Sequence, residues 1–139
     1  MPKIRPFIAG SLAFGAAAAL IAGCGSPSPQ ENVSQACTAS EAFGAALKTF
    51  QDTLTTDATV EEIQAAREGV RGTYATLVNE VGDVARDRMA EVETATNELN
   101  AAVDAVPSDA ALSDALGSLK NEATDVVNAR NDLDNALKC

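Results

Sequence analysis

Apolar side chains recur at helical spacing along the chain from about residue 35 onward. The first regular set is Phe43, Leu47, Phe50 and Leu54. Its intervals of four, three and four residues place the set on one face of an α-helix, so the sequence predicts a helix over about 35–55. The segment 55–59, "TTDAT", interrupts the pattern, and Thr59 with Glu62 forms the T-x-x-E signature of a new helix start.

A second apolar stripe continues along the middle of the chain without a jump in phase. Its members are Val60, Ile63, Val70, Tyr74, Leu77, Val81, Met89, Val92, Leu99, Val103 and Val106. At 100° per residue they fall within a sector of roughly 120°. This favours one continuous helix over about 60–105, roughly 70 Å long. The alternative is a break near Gly82, with Gly82 as the C-cap of one helix and Asp83 as the N-cap of the next.

A third stripe follows Pro107. Its members, spaced alternately by four and three residues, are Leu112, Leu116, Leu119, Ala123, Val126, Arg130, Leu133 and Leu137. The spacing predicts a last helix over about 109–138. Arg130 is the one polar member, and we expect its stem to pack while its head reaches solvent. Because β-rich runs are missing, the three patterns predict an all-α domain over 35–139.

The first 24 residues, "MPKIRPFIAGSLAFGAAAALIAGC", have a different pattern. Lys3 and Arg5 precede an uncharged run from Phe7 to Ala22. That run is shorter than the roughly 20 residues that a membrane-spanning helix needs. A basic start, a short apolar run and a small-residue end are typical of a secretory signal peptide.

The segment Ile21-Ala22-Gly23-Cys24 resembles the lipobox of bacterial lipoproteins, which has an aliphatic residue, two small residues and an obligatory cysteine. The resemblance implies that residues 1–23 are a lipoprotein signal peptide, cleaved between Gly23 and Cys24. It also implies a diacylglyceryl group on the Cys24 sulfur and incorporation of palmitate. Two acyl chains anchor a protein stably to a bilayer where one does not. The expected location is the outer face of the cell membrane.

The Pro-, Gly- and Ser-containing residues 24–34 are expected to form a flexible tether between the lipidated cysteine and the helical domain. The chain is rich in Ala, Asp and Thr, and in this it is similar to small lipoproteins of high-GC Gram-positive bacteria. Removal of residues 1–23 leaves 8 basic and 20 acidic residues, a net charge of −12. Such a surface repels nucleic acid and anionic headgroups, so the lipid has to hold the protein on the membrane.

The cysteine count supports a disulfide. If Cys24 carries lipid, Cys37 and Cys139 remain as an even pair in a compartment where disulfides persist, and we predict that they are bonded. A catalytic pair would favour close C-x-x-C spacing, which the sequence lacks.

The predicted disulfide restricts the packing of the helices. Bonded cysteines have Cα atoms within about 7 Å of each other, whereas an up-down-up bundle of three helices would put Cys37 and Cys139 at opposite ends. Two arrangements remain. In the first, which the unbroken stripe favours, the flanking helices fold back along the two halves of a long central helix. In the second, which burial favours, a break near Gly82 makes an up-down four-helix bundle.

The sequence offers little chemistry. It has no histidine, the most common general base, and the segment 128–135, "NARNDLDN", lacks the glycine and distal glutamate of a calcium loop. We therefore expect no enzyme, no cofactor and no metal. The first functional hypothesis is a lipid-anchored helical envelope protein, with coiled-coil-like packing, that acts as a spacer or as an interaction module for another envelope protein. The alternative is a lipoprotein that binds a small apolar or cationic ligand, for which Tyr74 is the residue to examine.

Overall fold

The computed structural model describes residues 28–108 and 112–139. Over these residues the chain forms four helices and no strand, which confirms the all-α prediction. The helices are α1 (Pro29–Thr53), α2 (Val60–Val81), α3 (Arg86–Asp104) and α4 (Leu112–Leu137). The predicted start of the last helix, at about residue 109, lies outside the described residues.

The first helix begins earlier than the sequence pattern predicts. Pro29 opens α1, and Ser28 caps it, with the Glu31 backbone N–H donating to Ser28 Oγ. Proline suits the first position of a helix because the N–H it lacks would be unpaired there. The predicted tether over 24–34 is therefore wrong from residue 29 onward. The Ser28 backbone N–H, which donates to the Glu31 carboxylate at 2.8 Å, lowers the pKa of Glu31.

The predicted helix start at Thr59 is confirmed. The Glu62 backbone N–H donates to Thr59 Oγ1 at 3.2 Å, and the Thr59 N–H donates to the Glu62 carboxylate at 2.8 Å. These reciprocal bonds satisfy donors that a helix N-terminus leaves free. Leu54, at the end of α1, is 2 % exposed, so the loop between α1 and α2 is fixed to the core.

The continuous central helix over 60–105 is wrong, and the predicted break near Gly82 is present. Gly82 ends α2 with φ 50° and ψ −125°, a conformation that interrupts the helix and that residues with a Cβ rarely adopt. The turn continues through a bond from the Val84 N–H to the Val81 carbonyl. Ala85, not Asp83, precedes α3, and no side chain caps that helix.

The stripe nevertheless continues in phase across the turn. Val81 is fully buried on one side of the turn and Met89 is 8 % exposed on the other. Periodicity reports which face is buried, and that face is the same whether the chain continues straight or folds back. The folded-back arrangement is more stable because each helix then packs against two neighbours, and the hydrophobic stabilisation increases with the apolar area removed from water.

Four cross-helix features establish an up-down-up-down bundle. The ring of Phe43 in α1 lies 6.0 Å from that of Tyr74 in α2. Arg67 in α2 pairs with Asp104 in α3, and both residues are far from the turn at Gly82. Ala136 of α4 shares a surface groove with the start of α3. Ser40 of α1 bonds to Asp134 of α4.

The core consists of the predicted stripes. Its fully or almost fully buried large side chains are Phe43, Leu47, Phe50, Leu54, Ile63, Val70, Leu77, Val81, Val92, Leu99, Leu119 and Leu133. Helix contacts are most extensive within the pairs α1/α2 and α3/α4, fewer between α1 and α4, and fewest between α2 and α3. The bundle is therefore two well-packed hairpins joined by two smaller contacts.

Candidate functional site

The structure brings one pair of predicted site residues together. The sulfur atoms of Cys37 and Cys139 are 2.08 Å apart and their Cα atoms 5.6 Å apart, the predicted disulfide. The lipidation and cleavage residues, Cys24 and Gly23, lie outside the described residues.

The chain reversal at the end of α4 places Cys139 next to α1. Lys138 has φ 62°, and its N–H donates to the Asn135 carbonyl while the Cys139 N–H donates to that of Asp134, at 3.3 and 2.9 Å. This pair of bonds is a Schellman motif, in which glycine is the usual residue at the left-handed position. The reversal of the chain brings Cys139 back alongside α1.

The disulfide lies at the same end of the bundle as the α2–α3 turn. The chain runs up α1 and down α2, so residue 80 returns to the level of residues 34–38, and Glu80 shares a groove with Ser34 and Thr38. We call this end, with Cys37, Cys139 and residues 82–85, the disulfide end. The opposite end, with the loops 54–59 and 105–108, is the loop end.

A partly buried polar cluster lies beside the disulfide, between α1 and α4. Arg130 Nε donates to both the backbone carbonyl and the hydroxyl of Ser40, each at 3.0 Å. Arg130 Nη2 lies 2.8 Å from Asp134 Oδ2, and the Ser40 hydroxyl donates to the other oxygen of the same carboxylate. The head of Arg130 therefore turns into the interface, contrary to the expectation that it reaches solvent.

Gly44 makes room for this arginine. A Cβ placed at Gly44 would lie 2.8 Å from the guanidinium carbon of Arg130. This cluster was not predicted from the sequence. The available signals were Arg130 on an apolar stripe and Ser40 on the face of α1 that carries Ala36, Phe43 and Leu47.

The contact between α2 and α3 contains a second, different set of polar residues. Arg67 pairs with Asp104, whose side chain is 67 % exposed. Three buried side-chain atoms of α2 and α3 have no hydrogen-bond partner among the described residues: Arg67 Nε in α2, and Thr96 Oγ1 and Asn100 Oδ1 in α3. Buried polar atoms are normally paired, so this contact is less well satisfied than the one between α1 and α4.

Tyr74, singled out for the ligand hypothesis, packs as a core residue. It is half-buried against the core and its ring meets Phe43 at 52°. Burial raises the pKa of Tyr74, and the negative charge of Glu93 raises it further. The ring thus faces the core while the hydroxyl lies near α3.

The main depressions on the surface of the described residues are shallow grooves that are open to solvent. One lies between α1 and α2 near the loop end and contains Thr49, Thr53, Asp57 and Glu62. Another, at the disulfide end, contains residues 83–88. Among the described residues, no group of three or more His, Cys, Asp or Glu side chains is placed to hold a metal ion.

Comparison with family models, curated proteins and solved structures finds no match for this chain. None of the helices in 28–108 and 112–139 is both long and apolar enough to span a membrane.

Proposed function

We propose that this protein is a lipid-anchored, non-enzymatic helical module of a bacterial cell envelope, and that its bundle serves chiefly as a spacer. The observation that carries the proposal is that the apolar stripes are buried inside the bundle. Among the described residues, only Val78 and Val84 are large hydrophobic side chains that stay exposed. A bundle that buries its stripes internally has no broad apolar face left for a partner helix.

The proposed location depends on the lipobox at residues 21–24 and on the disulfide. Bonds such as Cys37–Cys139 persist outside the reducing cytoplasm. The strongly acidic composition supports a role for the lipid, because a net negative domain has no electrostatic attraction to an anionic surface. We propose the outer face of the cell membrane.

The interaction-module form of the proposal needs a polar partner surface. Acidic side chains at the loop end, such as Asp57, Glu61 and Glu62, would suit a basic envelope protein. Nucleic acid does not suit such a surface. Ligand binding is the weaker alternative, because the grooves named above are open to solvent and ligand sites usually enclose most of their ligand.

Cys24→Ser tests the anchor. The wild-type protein should incorporate labelled palmitate and fractionate with membranes after cleavage, whereas Cys24→Ser should incorporate none and give an uncleaved or soluble product. Palmitate that still entered the variant would overturn the lipidation. Gln30→Ser is a suitable control, because it alters the exposed start of α1 and leaves residues 21–24 intact.

Chemical crosslinking on intact cells separates the spacer from the interaction module. A spacer should give crosslinks scattered over many proteins in proportion to their abundance. An interaction module should give one dominant partner, with crosslinks concentrated at one end of the bundle. A dominant partner would overturn the spacer role.

A further inference from the structure

The start of α1 limits how far the bundle can lie from an anchor on Cys24. Only four residue steps separate Cys24 from Ser28, the N-cap of α1. A fully extended chain spans at most about 3.6 Å per residue, so these four steps span at most about 14 Å in any conformation. The start of α1 belongs to the disulfide end. An anchored protein therefore keeps that end close to the bilayer.

The exposed apolar side chains lie at the same end. Val84 in the α2–α3 turn is 53 % exposed, and Val78 in the last turn of α2 is 40 % exposed. They are the two exposed large hydrophobics of the described residues, and both lie within one helical turn of Gly82. No atom of the described residues lies within 4 Å of a Cβ built at Gly82, so the turn is open at this position.

The charges differ between the two ends in a way that suits the same orientation. Segments 49–66 and 101–119, which lead to and from the loop end, contain Asp and Glu but no Lys or Arg. The disulfide end also carries acidic residues, among them Glu31, Glu80 and Asp87, but here the cations Arg86, Arg88 and Lys138 offset part of that charge. An anionic bilayer repels the loop end more strongly than the disulfide end.

From these three observations we infer that the disulfide end faces the bilayer and that the α2–α3 turn, with Val84 at its tip, contacts the lipid headgroups. The inference rests on the lipid anchor of the proposed function. A single valine cannot hold the protein on the membrane by itself. Its contact instead sets the orientation of a bundle that the acyl chains already hold, and it keeps the loop end directed away from the membrane.

Tryptophan fluorescence tests the contact directly, because the sequence contains no tryptophan. Val84→Trp places a reporter in the turn, and Thr56→Trp is the matched control at the exposed loop end. The full lipid-modified proteins are reconstituted into vesicles of phosphatidylcholine and phosphatidylglycerol with brominated acyl chains. We expect the fluorescence of Val84→Trp to be quenched several-fold more than that of Thr56→Trp. We also expect Val84→Trp to emit at shorter wavelength with vesicles than the same protein without vesicles.

Vesicle flotation separates failure of this inference from failure of the anchor. Protein that does not float with vesicles would refute the proposed lipidation. Protein that floats while Val84→Trp and Thr56→Trp are quenched equally would overturn the orientation. A blue shift of Val84→Trp that depends on protein concentration and not on vesicles would also overturn it, in favour of contact with a second copy. Arg86→Trp, at a side chain that is 74 % exposed, gives a second reporter in case Val84→Trp perturbs the turn.

Discussion

The contacts α1/α4 and α2/α3 both join the two hairpins, yet they are stabilised very differently. Between α1 and α4, a disulfide lies beside a polar cluster in which Arg130, Ser40 and Asp134 satisfy one another. Between α2 and α3, Arg67 reaches an exposed carboxylate, and Thr96 Oγ1 of α3 is buried without a partner among the described residues. The position of a polar residue on a core stripe therefore does not predict its contribution to stability, because that contribution depends on the groups that it meets across the interface.

The difference also concerns where the hairpins are held together. At the disulfide end both contacts are closed covalently, α1/α4 by the disulfide and α2/α3 by the backbone turn at residues 82–85. Away from that end, the α2/α3 contact is the less extensive of the two. The smaller α2/α3 contact is thus the side on which we expect the bundle to open first, since local opening follows sparse contacts and exposed backbone.

The largest expected effect is loss of the disulfide. Cys37→Ala with Cys139→Ala should destabilise the domain by up to about 4.7 kcal/mol, the loop-entropy value for a crosslink of about 100 residues; here the separation is 102. Urea unfolding with and without reductant measures the effect. The reductant should not change the double variant. Coincident midpoints for oxidised and reduced wild type would show that the disulfide does not hold the hairpins together.

Replacing the two arginines compares the contacts directly. Arg130→Met should cost about 3 kcal/mol or more, because a hydrogen bond to a charged group contributes about 1.5–3 kcal/mol. The Ser40 carbonyl, the Ser40 hydroxyl and the Asp134 carboxylate all lose their bond to the guanidinium. Arg67→Met should change stability by less than about 1 kcal/mol, because its partner is exposed and such pairs contribute little. Denaturant midpoints of both variants provide the test. Equal costs would contradict the contrast drawn between α1/α4 and α2/α3.

Residues with positive φ give an effect of intermediate size. Gly82→Ala should destabilise by about 1–2 kcal/mol, because a Cβ is disfavoured in left-handed backbone. Lys138→Gly should stabilise by up to about 1 kcal/mol for the same reason in reverse. Gly69→Ala is the control within α2, where open space surrounds the position, and it should stabilise by up to about 1 kcal/mol. A neutral Gly82→Ala would mean that the turn is not required.

The two buried hydroxyls should respond in opposite directions. Ser40→Ala should cost about 1 kcal/mol, because Arg130 and Asp134 each lose a partner. Thr96→Val keeps the shape of the side chain and removes an unpaired hydroxyl, so it should be neutral or stabilise by up to about 1 kcal/mol. Thermal unfolding of both variants measures the difference. A destabilised Thr96→Val would reveal that the Thr96 hydroxyl has a partner.

The smallest effect concerns pH. The pKa of Tyr74 is raised in the folded protein, so the unfolded chain loses its phenolic proton first as pH rises. Stability from this group is fully present below about pH 10, the unfolded value, and is lost as pH rises through the folded value. Since Tyr74 is the one tyrosine, phenolate absorbance reports it alone. Its midpoint should be higher in buffer than in concentrated urea, and Tyr74→Phe should remove the signal.

The sequence pattern identified the all-α class and the buried faces of the helices, but not the start of α1 or the division of the central segment into α2 and α3. The spacing of Phe43, Leu47 and Phe50 identified the core face of α1, and Thr59 with Glu62 marked the start of α2, because both signals depend on neighbours within one helix. With Cys24 assigned to the predicted lipid anchor, the cysteine count also selected the pair Cys37 and Cys139. Pro29 misled the prediction for α1, since proline both ends helices and begins them.

Only the tertiary structure decided between a straight and a folded central segment. The stripe is in phase across Gly82 in either case, so periodicity carries no information on the turn, and the outcome depends on burial against α1 and α4. The cluster of Arg130 with Ser40 was hidden for a related reason. Arg130 and Ser40 are 90 positions apart, so no local sequence signal indicates that they meet. The residues of the neighbouring helix determine whether a polar side chain on an apolar stripe has a hydrogen-bond partner.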